Sequence, residues 1–172
     1  MYSVGDKVVH PGYGPGVIKG IERRQVIGEA KDYYIIEILT GDATLMTPVA
    51  QAANVGLRPA ISDDSVERLF QLLTEIPREL SGDFRERQEE VDERLREGDI
   101  FVTATVLRDM AWYSQTNDLT KRDAQLVQRA EDLVAGELAL VRGTDVQEAL
   151  DHLRDFLAET TQVPEEEADI AD

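Results

Sequence analysis

The hydrophobic pattern of this chain changes once, near residue 58, and the change limits the folds open to it. Up to that point, short runs of β-branched and aromatic residues are separated by glycine-rich turns, as in small antiparallel sheets. Beyond it, apolar residues recur every three or four positions among charged ones, as in amphipathic helices. We therefore predict an α+β chain of two domains, a small antiparallel β-barrel over residues 1–58 and an all-α helical domain over residues 59–160.

Glycine and proline divide the first part into short strands. The segment 12–16 contains three glycines and forms a tight connection, since glycine tolerates a positive φ. Gly20 interrupts the second strand and indicates a bend or bulge. The four strands predicted between these turns span residues 5–10, 17–26, 33–39 and 43–49.

Capping residues and breakers divide the second part into five helices. Asp83 is a candidate N-cap for the second helix and Gly98 a candidate C-terminal stop, because each residue type is favoured at that end. Thr144 to Gln147 has the pattern of a capping box. The predicted helices span residues 62–76, 83–97, 100–113, 120–140 and 144–157. An acidic, disordered tail is expected over residues 161–172.

Charge follows the same division. Residues 1–58 contain six Lys/Arg and six Asp/Glu, so the net charge of −17 lies in residues 59–172, which contain 12 and 29. Affinity for DNA comes mostly from Lys and Arg that neutralise phosphates. An excess of acids repels a polyanion over roughly 8 Å at physiological salt. Binding of DNA by the helical domain alone is therefore not expected.

The residues needed for common catalytic or metal sites are missing. The chain has no cysteine, and its two histidines, His10 and His152, lie in different parts, so neither a thiolate nor a two-histidine metal site is expected. Phosphate-loop and serine-nucleophile motifs are absent as well. We therefore expect that the protein is not an enzyme and that it binds no cofactor and no metal ion. A cytoplasmic monomer without a membrane span is expected.

The order of these segments resembles the CarD-like family of bacterial transcription regulators. The similarity covers roughly residues 1–157, and no single piece of it is specific alone. The segments that carry it are 4–14, 20–22, 48–49, 55–58, 106–110 and 130–139.

The resemblance implies a Tudor-like barrel that docks on the β subunit of RNA polymerase. Arg24 matches a basic position that the family uses on the polymerase, and a guanidinium suits a partner carboxylate. Its other interpretation is an exposed edge charge that deters aggregation. Met46 stands where relatives can carry a basic residue, and it is either an adaptable apolar contact or a core residue. Pro48 belongs to the same proposed polymerase-binding set.

The resemblance also implies that the helical domain touches promoter DNA beside the melted region. Phe84 stands where the family places a tryptophan that wedges into the minor groove, with Arg85 and Arg87 beside it for phosphates. Alternatively, Phe84 is the first core residue of a face shared with Gln88, Val91 and Leu95. Trp112 could be a displaced wedge, although its place in a helix favours burial.

Two functions follow from this combination. The first is a regulator that binds RNA polymerase through the barrel and touches promoter DNA weakly, when the polymerase holds it in place. The second is an adaptor whose acidic helices bind a basic protein partner instead of DNA.

Overall fold

The computed structural model describes residues 1–161. Its first part is one antiparallel sheet with the strand order β4-β3-β2-β1-β5. The predicted acidic tail falls, apart from Thr161, outside the described residues. The strands are β1 (Lys7–His10), β2 (Gly14–Arg24), β3 (Lys31–Ile38), β4 (Thr44–Pro48) and β5 (Arg58–Pro59).

The predicted α+β layout is confirmed, but the sheet is open and not a closed barrel. β4 and β5 are its two edges and do not pair with each other. β5 has only two residues, and both pair with β1. A 3₁₀ turn, Val49–Gln51, leads the chain away from the end of β4.

One side of this sheet is the core side. It buries Val8, Ile18, Tyr34 and Ile36, and the loop after β4 covers them with Ala52 and Leu57. The predicted irregularity at Gly20 is confirmed, because the β2–β3 pairing shifts between Ile18 and Gly20.

Within the described residues five helices follow, as predicted. The boundaries predicted from caps and breakers are close to those observed: Asp83 accepts hydrogen bonds from the backbone N–H groups of Arg85 and Glu86, and Gly98 takes a φ of 74° after the second helix. The helices are α1 (Asp63–Thr74), α2 (Phe84–Arg96), α3 (Ile100–Thr116), α4 (Lys121–Arg142) and α5 (Val146–Thr160).

The cap of α5 differs from the prediction. Asp145, not Thr144, accepts the hydrogen bond from the backbone N–H of Gln147, at 2.8 Å. The capping box occurs instead at the start of α4, where Thr120 and Asp123 each accept from the backbone N–H of the other.

The described chain forms two compact units. The first combines Met1–Val66 with Leu133–Ala149, and the second combines Glu67–Asp132 with the chain from Leu150 onward. The end of α4 therefore belongs to the same unit as the sheet. A single domain boundary along the sequence does not describe this division. The predicted boundaries at residues 58 and 160 stay predictions. Within residues 1–161, no helix is long and apolar enough to cross a bilayer.

Candidate functional site

Strand pairing places Arg24, Met46 and Pro48 on one side of the sheet. Met46 lies opposite Ile35, and Pro48 lies opposite Tyr33, which in turn lies opposite Glu22. Directly paired residues share a face, and residues two apart along a strand do so too. Arg24 is therefore on the same side as Glu22. We call this side the outer face, because it lies opposite the core side with Tyr34 and Ile36.

The outer face combines an apolar patch with charged pairs, among them that of Arg24 with Glu22. Met46 is 37% exposed, and Tyr33 and Ile35 beside it are half-buried. The Arg24 Nε donates to Glu22 Oε2 at 2.8 Å, and both side chains are about half exposed. The prediction of Met46 as a core residue is wrong. Tyr33 and Ile35 were not predicted as part of a site, since only the strand register shows which face they share.

At the start of α2 the predicted core face is corrected. Val91 and Leu95 are buried, but Phe84 is 48% exposed and is the first residue of the helix, just after the cap. The guanidinium of Arg85 lies 5.5 Å from the centre of the Phe84 ring. Phe84 is therefore a surface residue with a cation against it.

Arg87 takes the core position that was expected of Phe84. Its side chain is 2% exposed and donates to both carboxylate oxygens of Asp123. Arg87 also donates to the Tyr113 hydroxyl at 2.8 Å and lies over its ring. Since this guanidinium is buried and fully used, the prediction that Arg87 contacts DNA is wrong for this conformation.

Asp123 is held ionised by its partners. Burial acts to raise the pKa of its carboxyl, but hydrogen bonds from Arg87 and Thr120 outweigh burial and lower the pKa to about 2. This group joins α2, α3 and α4 within the second unit and has a structural role.

Most other cations of the second unit are also paired with acids. Arg94 donates to the buried Asp109 at 2.8 Å, and the predicted pair of Asp92 with Arg96 is present. Among described residues of this unit, the cations that make no contact with an acid are Arg68, Arg85 and Lys121.

Lys121 was not predicted as a site residue, but it begins the helix next to α2. Gln88 of α2 donates to the Thr120 hydroxyl at 2.9 Å, so the start of α4 lies one helical turn from Phe84. Lys121 is exposed. Two helix N-termini therefore meet here, and each carries an unpaired cation, Arg85 or Lys121. The sequence gives no signal of this, because residues 88 and 120 are far apart along the chain.

The remaining candidates are placed as follows. Trp112 is half-buried in α3, and its neighbour Tyr113 is the residue that contacts Arg87. His10 accepts from the backbone N–H of Gly12 through Nδ1, and the His152 ring lies tilted against that of Phe70. No group of metal-binding side chains is found within residues 1–161.

Comparison with known proteins agrees with these features. Residues 2–61 match the model of the CarD-like/TRCF RID domain, and residues 68–154 match that of the CarD C-terminal domain. The chain belongs to the CarD-like family. A Bacillus subtilis relative, named "Putative transcription factor YdeB", is 22% identical over 143 residues, which cover 83% of this chain and 94% of that protein. Membership of this family indicates a role related to transcription.

Proposed function

We propose that this CarD-like chain regulates transcription by binding the β subunit of bacterial RNA polymerase through the outer face of its sheet. The observation that carries the proposal is the gathering of Arg24, Met46 and Pro48 on that face. The resemblance names these positions one by one along the chain, and strand register supports them as one surface. The family's RID domain spans the same residues.

The outer face has the chemistry of an interaction surface. Exposed pairs such as Arg24 with Glu22 contribute about 0–1 kcal/mol, so Arg24 can exchange its partner at little cost. A polymerase carboxylate could then accept both of its guanidinium hydrogen bonds. Met46 lies in the middle of β4, an edge strand. An edge strand can also pair with an extended segment of the partner.

Contact with promoter DNA is proposed for Phe84, Arg85 and Lys121. An exposed aromatic ring can insert at a base step and stabilise distorted DNA. Two unpaired cations can each neutralise a phosphate, whereas the paired ones must first lose an acid. Because so few charges are available, this contact is weak. It becomes significant when the polymerase tethers the chain and raises its effective concentration beside the DNA.

The acidic surface favours a second candidate, an adaptor that binds a basic protein. On α5, Glu148, Asp155 and Glu159 are exposed at helical spacing. Such a surface would attract a cationic partner and repel DNA. The two candidates share the polymerase contact and differ in what the helices bind.

Retention on immobilised β subunit tests the shared part. We expect Arg24→Glu to reduce retention at least about tenfold, since it places like charges together in the complex. Arg96→Glu is the matched control, because Arg96 is also exposed and paired with one neighbouring acid. Equal retention of both variants would contradict the proposed anchor.

A gel shift with promoter DNA distinguishes the two candidates. We expect the chain alone to leave the mobility of the DNA unchanged. Added together with polymerase, it should give a ternary complex that migrates more slowly than the complex of polymerase and DNA. If the ternary complex forms but its lifetime is unchanged by Phe84→Ala and Arg85→Ala, the DNA contact is wrong and the adaptor is favoured.

A further inference from the structure

A solvent-open cavity of about 670 Å³ lies at the end of the β2–β3 hairpin. Its walls include Tyr2, Tyr34, Val49 and Ala52, which makes them mainly apolar. Arg23 pairs with Asp32 and therefore lies on the same side of the sheet as Tyr34, the core side. The floor of the cavity is therefore on the core side, but its rim reaches the outer face, because Lys31 pairs with Arg24 and Pro48 also lines the cavity. Its volume is in the range of sites that enclose a small ligand or bulky side chain.

A free strand edge borders this cavity. Pairing of β4 with β3 ends where Pro48 meets Tyr33, but β3 begins two residues earlier, at Lys31. In the described part of the chain, Lys31 and Asp32 have no strand beside them on that side, and both line the cavity. An extended segment can add to such an edge through main-chain hydrogen bonds.

The charges at the cavity favour an acidic ligand. Arg23 and Lys31 both line it, and neither side chain makes an ion pair or hydrogen bond with any described residue. Asp32 is the one acidic residue in the lining. Two cations against one acid leave a net positive charge beside an apolar floor. A ligand that pairs an apolar group with a carboxylate complements both features.

We propose that this cavity is a second docking site, for an extended polypeptide segment of a partner protein. One bulky apolar side chain of the segment fills the cavity, and an acidic side chain two residues away meets Arg23 or Lys31. The spacing follows from strand geometry, in which residues two apart point to the same side. A peptide is favoured over a small anion because β4 does not pair with Lys31 and Asp32, and an extended chain can both donate to and accept from such a strand edge. This site adjoins the proposed polymerase contact at Lys31 and Pro48, but its apolar floor is on the opposite, core side of the sheet.

Titration of the full chain with defined peptides, followed by ¹H–¹⁵N NMR, tests the proposal. The probe is the capped pentapeptide Glu-Thr-Phe-Thr-Glu, which places its ring and both acids on one side of a strand. We expect saturable shifts at the amides of Ala30 to Asp32 and of Ala52 and Ala53. Peptides with Ala for Phe, or with Lys for both Glu, should bind at least about tenfold more weakly.

Two variants distinguish binding in the cavity from nonspecific electrostatic attraction of the peptide. Ala53→Trp, at an exposed position of the lining, should block the cavity. The double variant Arg23→Glu/Lys31→Glu should reverse the charge of the cavity. We expect each variant to abolish saturable binding of the peptide. Lys19→Glu reverses one charge elsewhere on the sheet and should bind normally. Equal affinity for the peptides with Phe and with Ala would overturn the proposal, and so would binding of the peptide to the Ala53→Trp variant. So would binding of octanoate but of no peptide, which would indicate a small amphipathic anion.

Discussion

Arg58 and Glu137 form a two-pronged ion pair that joins the short strand β5 to helix α4. Both Nη atoms of Arg58 donate to the Glu137 carboxylate at 2.8 Å. The backbone N–H of Ile61 donates to the same group at 2.9 Å. The Glu137 side chain is 1% exposed, so no solvent can replace these donors.

Removing this carboxylate should destabilise the first unit. Glu137→Ala removes the acceptor that Arg58 and the Ile61 N–H share; because the Arg58 side chain is 30% exposed and water can reach it, we expect a cost of about 1–3 kcal/mol. The free energy of unfolding from urea titrations measures the loss. Glu148→Ala, at an exposed position of α5, is the control and should change it by less than about 0.5 kcal/mol. Equal effects of the two substitutions would show that the pair contributes nothing.

Gly136 permits the close approach of α4 to the sheet, within the same unit. A Cβ atom at this position would lie 2.9 Å from Pro15 Cγ and 3.3 Å from Thr40 Cγ2. Alanine is favoured over glycine in a helix by about 1 kcal/mol, yet we expect Gly136→Ala to destabilise, because overpacking costs typically about 1–3 kcal/mol.

Thermal unfolding of two further variants tests whether the contact with Pro15 is the cause of the destabilisation. Pro15→Ala should recover much of the stability lost in Gly136→Ala, because it removes the atom that the new Cβ meets. Gly82→Ala, where nothing lies within 4 Å of the added Cβ, should be close to neutral. A stabilising effect of Gly136→Ala would mean that α4 can move away from the sheet without cost.

The second unit should lose stability in acid through Asp123. The folded pKa of this carboxyl, about 2, is below its usual value of 3.8. Because the pKa of Asp123 is lower in the folded than in the unfolded state, its ionised form stabilises the fold at any pH above the unfolded pKa. This stabilisation is lost as the pH falls through the folded pKa. We expect a loss on the order of 2 kcal/mol between about pH 4 and pH 2.

Urea unfolding of the wild type and of Asp123→Asn across this range measures the contribution. The variant should be less stable at pH 7, because Arg87 remains buried without its counter-charge. The difference between the two proteins should shrink towards pH 2. A difference that stays constant with pH would contradict the assignment to Asp123.

Local signals predicted the elements well, because they act within a few residues. Asp83 and Gly98 fix the ends of α2 through backbone geometry alone, and Gly20 marks the bulge. Long-range pairing was not predictable in this way. The arginine that enters the core, Arg87, was expected on the surface because its partner, Asp123, lies 36 residues away. Similarly, Phe84 matched the helical spacing, but a buried charge pair occupies the core position there.

For the same reason, the residues of the two proposed contact surfaces could be predicted only in part. The resemblance supplied Arg24, Met46 and Pro48, and the sheet register adds Tyr33 and Ile35 to their face. Sequence reasoning could not find Lys121, because the contacts that join α4 to α2, Arg87 with Asp123 and Gln88 with Thr120, are between residues far apart along the chain.

The size of the ring at position 84 should set the lifetime of the promoter complex. An inserted aromatic group contributes by stacking on a base step, and a larger ring covers more of it. Phe84→Ala should therefore shorten the lifetime of the polymerase–promoter complex by about tenfold, and Phe84→Trp should lengthen it. Because Phe84 is 48% exposed in the described fold, neither change should alter the free energy of unfolding by more than about 0.5 kcal/mol. Dissociation measured with a competitor DNA gives the lifetimes. If Phe84→Ala and Phe84→Trp both leave the lifetime unchanged while polymerase binding is intact, the ring does not reach the DNA.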